Sequence, residues 1–453
     1  MMMQTIISGI HAHNEISELK ISDWRIIKSK LSRQERYFIR NQIEQSRTVD
    51  TFVYTLTVYI DNKTESGECT RGEATIAIQP SLTLEELKER IDYAAFAASK
   101  SKNPWFDVPG PSQQKETISA SGFEKITNSE ALALAEKALF SSQATRVDNA
   151  IQIEKPAQIN SLELFLSLEE KEFLNSKGQS FSTREWKGYS EFVVDIQSPL
   201  GIVELFDDIE FSEPDPERLA KATGERLAQV IDRAKALPLP VVKELPVIMR
   251  GKEAEELFGW FFDNSTTSMI FMKASTFAVG DNVQSGQAKN LPEDSFDLWA
   301  EVSIPGLIHS CAFDADGFPL ERTLVIEKGV LKTLIGSLRH ADWLNIPRKG
   351  AFRLFSVSPG AVSLEEMRSQ PYLEPLMFSD FRLDTVTGDF GGEIRLAYYF
   401  DGKTKIPVTG GSISGSISNL RSTMKRSRER SLGTRSLSPS AILLHGVSIT
   451  GIL

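Results

Sequence analysis

Residues 311–335 read CAFDADGFPLERTLVIEKGVLKTLI. Asp316-Gly317 spells a turn, and Leu324-Val325-Ile326 reads as a buried strand. Glu327-Lys328-Gly329 turns the chain, and Val330 to Ile335 runs back. Gly317 and Gly329 supply the positive φ that tight turns demand, and the flanking β-branched runs suit strands. The stretch is a hairpin. Most of 296–453 shares its character: short β-rich runs between glycine turns, broken by one short helix that opens at the capping box Ser363-Leu364-Glu365-Glu366.

Upstream, the pattern changes. Residues 1–50 are polar and mixed, with helix expected in part. TFVYTLTVYI (51–60) and GEATIAIQP (72–80) read as strands, the second stopped by Pro80. Thr83-Leu84-Glu85-Glu86 is a capping box, and Leu84, Leu87, Ile91, Ala94 and Ala98 give the following helix one apolar face. Residues 101–127 carry Pro104, Pro109 and Pro111 and read as an exposed connection. A helix near 129–142 and strands at 162–170 and 181–196 follow. Asp215-Pro216 then opens a long helix, with aspartate as cap and proline at the first helical position. The proline-rich 236–246 reads as the junction between two domains. The expected architecture is α+β: an N-terminal mixed sheet with helices over 1–238, and a strand-rich, barrel-like or sandwich domain over 239–453.

Composition narrows the function. The 453 residues are 41% hydrophobic and 25% charged, enough for more than one core. A net charge of −10 argues against nucleic acid as the main partner. No run of about 18 apolar residues occurs, so no membrane helix is expected. The first twenty residues lack a basic n-region, so no secretory signal is expected. Cys69 and Cys311 are too few for a disulfide framework or a cysteine-built zinc site, and a cytoplasmic location follows as the default.

No catalytic constellation stands out. His11, His13, His309, His340 and His445 are the only histidines, and none lies in HExxH or HExxxH spacing. His11 and His13 read as part of a solvated terminus. His309 and Cys311 fall two apart in an expected strand, on one face, and read as packed side chains. His445 reads as a core or edge residue of a terminal strand. Asp314 to Gly317 lacks the glycine and glutamate spacing of a calcium loop. The glycine–serine run 409–416 lacks the lysine of a phosphate loop. Residues 421–435, RSTMKRSRERSLGTR, hold six basic residues and one acid, and read as a solvated loop, with a phosphate-binding arm as the sharper alternative.

Several segments together resemble the TldD/PmbA family, once called modulators of DNA gyrase. They are DADGFPLERTLVIEKGVLKTLIGS, SPGAVSLEEM (358–367), VTGDFGGE (386–393), KIPVTGGSISGSISNL (405–420) and PSAILLHGVSITG (439–451), in that order. Asp316, Gly317, Gly329, Gly388 and Asp389 are the turn residues that carry the likeness, and they read as structural. The family contains zinc peptidases, with HExxxH on the first helix of the second domain and a cysteine farther on, and partners without that site. Here the corresponding helix is GKEAEELFGWFFD, 251–263. Glu255 falls on the first histidine, Glu256 on the glutamate and Trp260 on the second histidine. No cysteine lies near Tyr399–Lys403. An indole N–H only donates, so Trp260 cannot bind metal. The three glutamates, Glu253, Glu255 and Glu256, read as the solvated face of an ordinary helix.

The resemblance therefore implies the zinc-less, TldE-like branch. It implies no catalytic or metal-binding residue in this chain, and zinc in a TldD-like peptidase subunit acting on unfolded or short peptides. A homodimer stands beside that hetero-oligomer as an arrangement. A self-sufficient peptidase using His309, Cys311 or the helix glutamates, and a gyrase-associated nucleic-acid binder, are the alternatives.

Overall fold

The computed structural model describes residues 2–113, 116–118, 122–142, 156–199, 201–242, 244–285 and 294–452. The first half is built on an eight-stranded sheet. Its strands are β1 (Asp23–Ile39), β2 (Gln42–Lys63), β3 (Cys69–Ile78), β4 (Asn103–Pro104), β5 (Glu116–Ile118), β6 (Gln158–Asn175), β7 (Ser180–Ser198) and β8 (Gly201–Phe211). They run in the order β4-β3-β2-β1-β6-β7-β5, with β8 also on β7. Helix α1 (Met2–Ile16) and helix α2 (Leu84–Ser99) pack on β1–β3 through Ile6, Ile10, Leu87 and Ile91. Helices α3 (Asn128–Ser141) and α4 (Pro216–Lys235) cover β6–β8 through Leu139, Leu227 and Val230.

Local signals act as read. Thr83 and Glu86 form both halves of the capping box, and Asp215 accepts from Arg218 N at 3.0 Å. The chief departure is residues 23–50. They form β1 and the first part of β2, whose ladder runs from Asp23↔Tyr59 to Ile39↔Gln42 around a turn at Arg40. Segments such as SKLSRQER lack apolar alternation, and their strand form rests on ladder pairing on both sides, to β2 and to β6. The 101–127 connection is not simply exposed: Phe106 and Val108 are buried against Tyr59, with Trp343 of the second half beside them. Residues 114–115 and 119–121 of that connection lie outside the described residues.

The second half has two sheets, of nine and six strands. Both are open and neither closes into a barrel. Helix α5 (Gly251–Asn264) lies between them. Leu257, Phe258, Phe261 and Phe262 share one core with Val247 and Leu373 of the nine-stranded sheet and Leu298 and Phe355 of the six-stranded one. The 311–335 hairpin sits at an edge of the smaller sheet as Thr323–Glu327 and Val330–Leu331. Strand Leu237–Pro238 pairs with Lys405–Thr409, and Leu239 belongs to the second core. Among the described residues, no helix is long and apolar enough to cross a membrane.

Three further expectations are corrected. His13 is not solvated: it is 3% exposed, with its ring nitrogens bonded to Asp92 at 2.6 Å and Leu19 O at 2.8 Å. His309 and Cys311 are not in a strand. His309 has φ +74, Cys311 lies in irregular chain, and the loop follows the seam between the two halves. His445 is exposed in the bend after strand Ala441–Leu444.

Candidate functional site

Helix α5 is where the sequence points, and it is not an ordinary amphipathic helix. Glu255 is 4% exposed. Its carboxylate accepts from Thr434 N at 2.8 Å, Thr434 Oγ1 at 2.9 Å and Arg435 N at 2.8 Å. Gly433 lets the carboxylate in: a Cβ there would stand 2.4 Å from it. Arg435 then runs along the same helix face. Its guanidinium donates to Asp263 at 2.9 and 2.7 Å, and a Cβ on Gly259 would meet Nη2 at 2.5 Å. Glu255, Gly259 and Asp263 follow four-residue spacing, so a single arginine can bridge them. The solvated-face reading fails at Glu255 and holds at Glu256, which is exposed.

Trp260 leaves the helix elsewhere. Five residues from Glu255 is a rotation of about 140° at 3.6 residues per turn. The indole is 4% exposed, edge-on to Phe261 and Phe277, with Arg421 over its face at 5.5 Å. The family's zinc would need lone pairs converging on one point. Glu255 already spends its oxygens on three hydrogen bonds, and Trp260 offers only a donor. These residues do not fit a zinc ion. Among the described residues, no group of three or more His, Cys, Asp or Glu could hold a metal.

The turn residues join the two halves. Asp314 accepts from Asp316 N and Phe318 N, both at 2.9 Å, which shapes the Asp-Gly turn. Burial and the neighbouring Asp316 raise Asp314 to about 6. Arg25 of β1 donates to Ala315 O at 2.9 Å and to Asp316 at 2.5 Å, and Gln179 donates to Gly317 O at 2.8 Å. Phe313 stacks on Phe181, which stacks on Phe173. Gly329, φ +80, and Lys328, φ +48, form the two-residue hairpin turn. Gly388, φ +80, accepts from Ile417 N at 2.8 Å, and Asp389 begins the strand Asp389–Phe400.

The other candidates do not converge either. Cys311 Sγ donates to Phe313 O at 2.6 Å, and burial pushes the thiol up. Burial, then Lys187 and Arg353, pull His309 down to about 4, so it is neutral at pH 7. The basic run is solvated only in part: Arg428 and Arg430 are exposed, and other arginines are engaged by the fold. Arg426 is 2% exposed and ion-paired with Asp294 at 2.5 Å, and Arg435 is held by Asp263. Arginines used inside the fold cannot track a phosphate backbone. Nothing in residues 421–435 alone marks Arg426 or Arg435 as internal, because their acids lie 132 and 172 positions away.

The family description "PmbA/TldA metallopeptidase C-terminal domain" matches residues 242–451, the half that contains α5 and these three turns. Over these residues the chain carries a domain of the TldD/PmbA family. Solved structures agree in fold along the whole length. TldE from Thermococcus kodakarensis matches with a TM-score of 0.76 at 15% identity, covering 99% of both chains. A candidate modulator of a DNA gyrase from Thermotoga maritima MSB8 matches with a TM-score of 0.75 at 17% identity, over 98% of this chain and 100% of that one. A comparison with curated proteins returned no match.

One α5 carboxylate titrates within this family scaffold. Burial, reinforced by Glu256, raises Glu253 to about 7. A carboxyl group raised on folding is neutral in both states at acid pH. It becomes ionised in the unfolded chain first, so stability falls from about pH 4.5 to about pH 7 and then levels. Glu253→Gln removes that penalty. The variant is expected to match the parent at pH 4.5 and exceed it by about 1–3 kcal/mol at pH 8. Urea melts at both pH values check this. An equal gain at both would assign the effect to packing.

Proposed function

We propose that this chain is the non-catalytic subunit of a TldD/TldE-type metallopeptidase assembly, shaping the chamber in which a zinc-bearing partner processes unfolded or short peptides. The observation that carries the reading is the fate of the two histidine positions on α5. Glu255 is committed to the Thr434–Arg435 backbone, and Trp260 is packed into the core with no lone pair to offer. So read, the helix is retained as scaffold, with a hydrogen-bonded carboxylate and a buried indole where metal ligands would stand. On this reading the chain binds no cofactor, zinc resides in the TldD-like subunit, and the assembly is cytoplasmic.

The test is direct. The chain purified alone should carry less than about a tenth of an equivalent of zinc and cleave no unfolded casein or short peptide. A pull-down from its own cell extract should bring an HExxxH-bearing relative with it. Stoichiometric zinc with chelator-sensitive cleavage by the isolated chain would overturn the proposal.

A further inference from the structure

Arg421 closes the short helix Ile417–Leu420, its backbone N–H donating to Ile417 O at 2.9 Å. Its guanidinium lies over two aromatic rings, 5.5 Å from the centre of Trp260 and 5.9 Å from that of Phe277. Arg421 is half-buried, and its Nε is buried with no acceptor among the described residues. Among the described residues no carboxylate acts on it, and burial lowers its pKa. This sets it apart from Arg426 and Arg435, each of which is paired with an aspartate.

Trp260 repeats the pattern. It is 96% buried, yet its Nε1 also has no acceptor among the described residues. Gly388 packs close against that edge of the ring. A Cβ there would stand 3.2 Å from Cε2, the carbon bonded to Nε1. Buried charges are ordinarily paired and buried N–H groups ordinarily bonded. Here two such donors lie side by side with no acid in reach among the described residues.

We propose that Arg421 and Trp260 form a carboxylate-binding site on the α5 scaffold. A guanidinium presents a planar fork that matches a carboxylate, and the indole N–H supplies a further donor. The walls, Trp260 and Phe277, are apolar, so a singly charged planar anion is favoured over a phosphate dianion, whose desolvation costs more. The acid can be a small free carboxylate or the C-terminus of a peptide. The inference rests on these contacts and not on the assembly proposed above, so it is tested on the chain alone.

The chain has six tryptophans, so a ¹⁵N-indole spectrum contains six N–H signals. The full-length protein is titrated with acetate, N-acetyl-Ala-Ala, its C-terminal amide and inorganic phosphate. One signal is expected to shift saturably with carboxylates, to stay fixed with the amide and phosphate, and to be the signal missing in W260F. R421Q should weaken the response at least tenfold, and R421K, which keeps the charge but not the fork, should weaken it less. A response to acetate as strong as to the peptide assigns the site to small acids. A response confined to the peptide assigns it to chain termini. No saturable shift in the parent protein, an equal shift with amide or phosphate, or undiminished binding in R421Q overturns the proposal.

Discussion

Glu255→Ala is expected to destabilise the second domain by about 3–5 kcal/mol. The reason is what stays behind. Thr434 N and Arg435 N both lose their acceptor, and Thr434 Oγ1 loses its own. Gly433 would then face a void where the carboxylate now stands, since its Cβ position is 2.4 Å from Glu255. Arg435, released at its backbone, would hold Asp263 less firmly. Glu255→Gln keeps the volume and one acceptor oxygen, so its loss should be smaller, about 1–3 kcal/mol. Calorimetric melts of the three proteins check the order. An alanine variant that melts with the parent would mean that Glu255 is not the anchor of this loop.

Gly317→Val should uncouple the two halves of the molecule. Two effects add. The residue has φ +87, which costs an L side chain about 1–2 kcal/mol. A Cβ would also come within 2.6 and 2.7 Å of the Phe173 ring, which is fixed by stacking on Phe181 and, through it, Phe313. The ring cannot retreat without breaking that stack, so overpacking adds about 1–3 kcal/mol. The turn also holds Arg25 and Gln179 across the seam, so the strain falls on domain docking rather than on either core. Gly67 is the control. Its φ is +86, yet nothing lies within 4 Å of its Cβ position, so Gly67→Val should show the backbone cost alone. Limited proteolysis should cut Gly317→Val, and not Gly67→Val, near the Leu237–Leu239 junction. Equal resistance of both variants would refute a docking role for the turn.

These two positions also mark how far a sequence can be read. Gly317 was legible as a turn because a tight turn is a local matter of φ and of the residues beside it. What the turn does, clamping β1 and the Gln179 loop, depends on partners 138 and 290 positions away. Glu255 was misread for the same reason. On a helical wheel it stands with Glu256 among polar neighbours, and only the chain returning 179 residues later buries it. The long β1–β2 pair was missed because its apolar alternation is weak, and its strand character comes from pairing on both sides of β1.

The sequence by itself determined the helix starts at Thr83, Asp215 and Ser363, the hairpin turn at Gly329, the apolar face of α5 and the family. Each is set by neighbours within about one turn of chain, or by the order of short segments. Tertiary structure alone decided that Glu255 is a buried anchor, that Arg426 is an internal counter-ion and Arg435 a half-buried one, and that Arg421 stands beside Trp260 with no acid among the described residues. The physical reason is burial. Whether a charged side chain is solvated, paired or left waiting for a partner depends on which distant segments exclude water from it, and a linear chain does not state that.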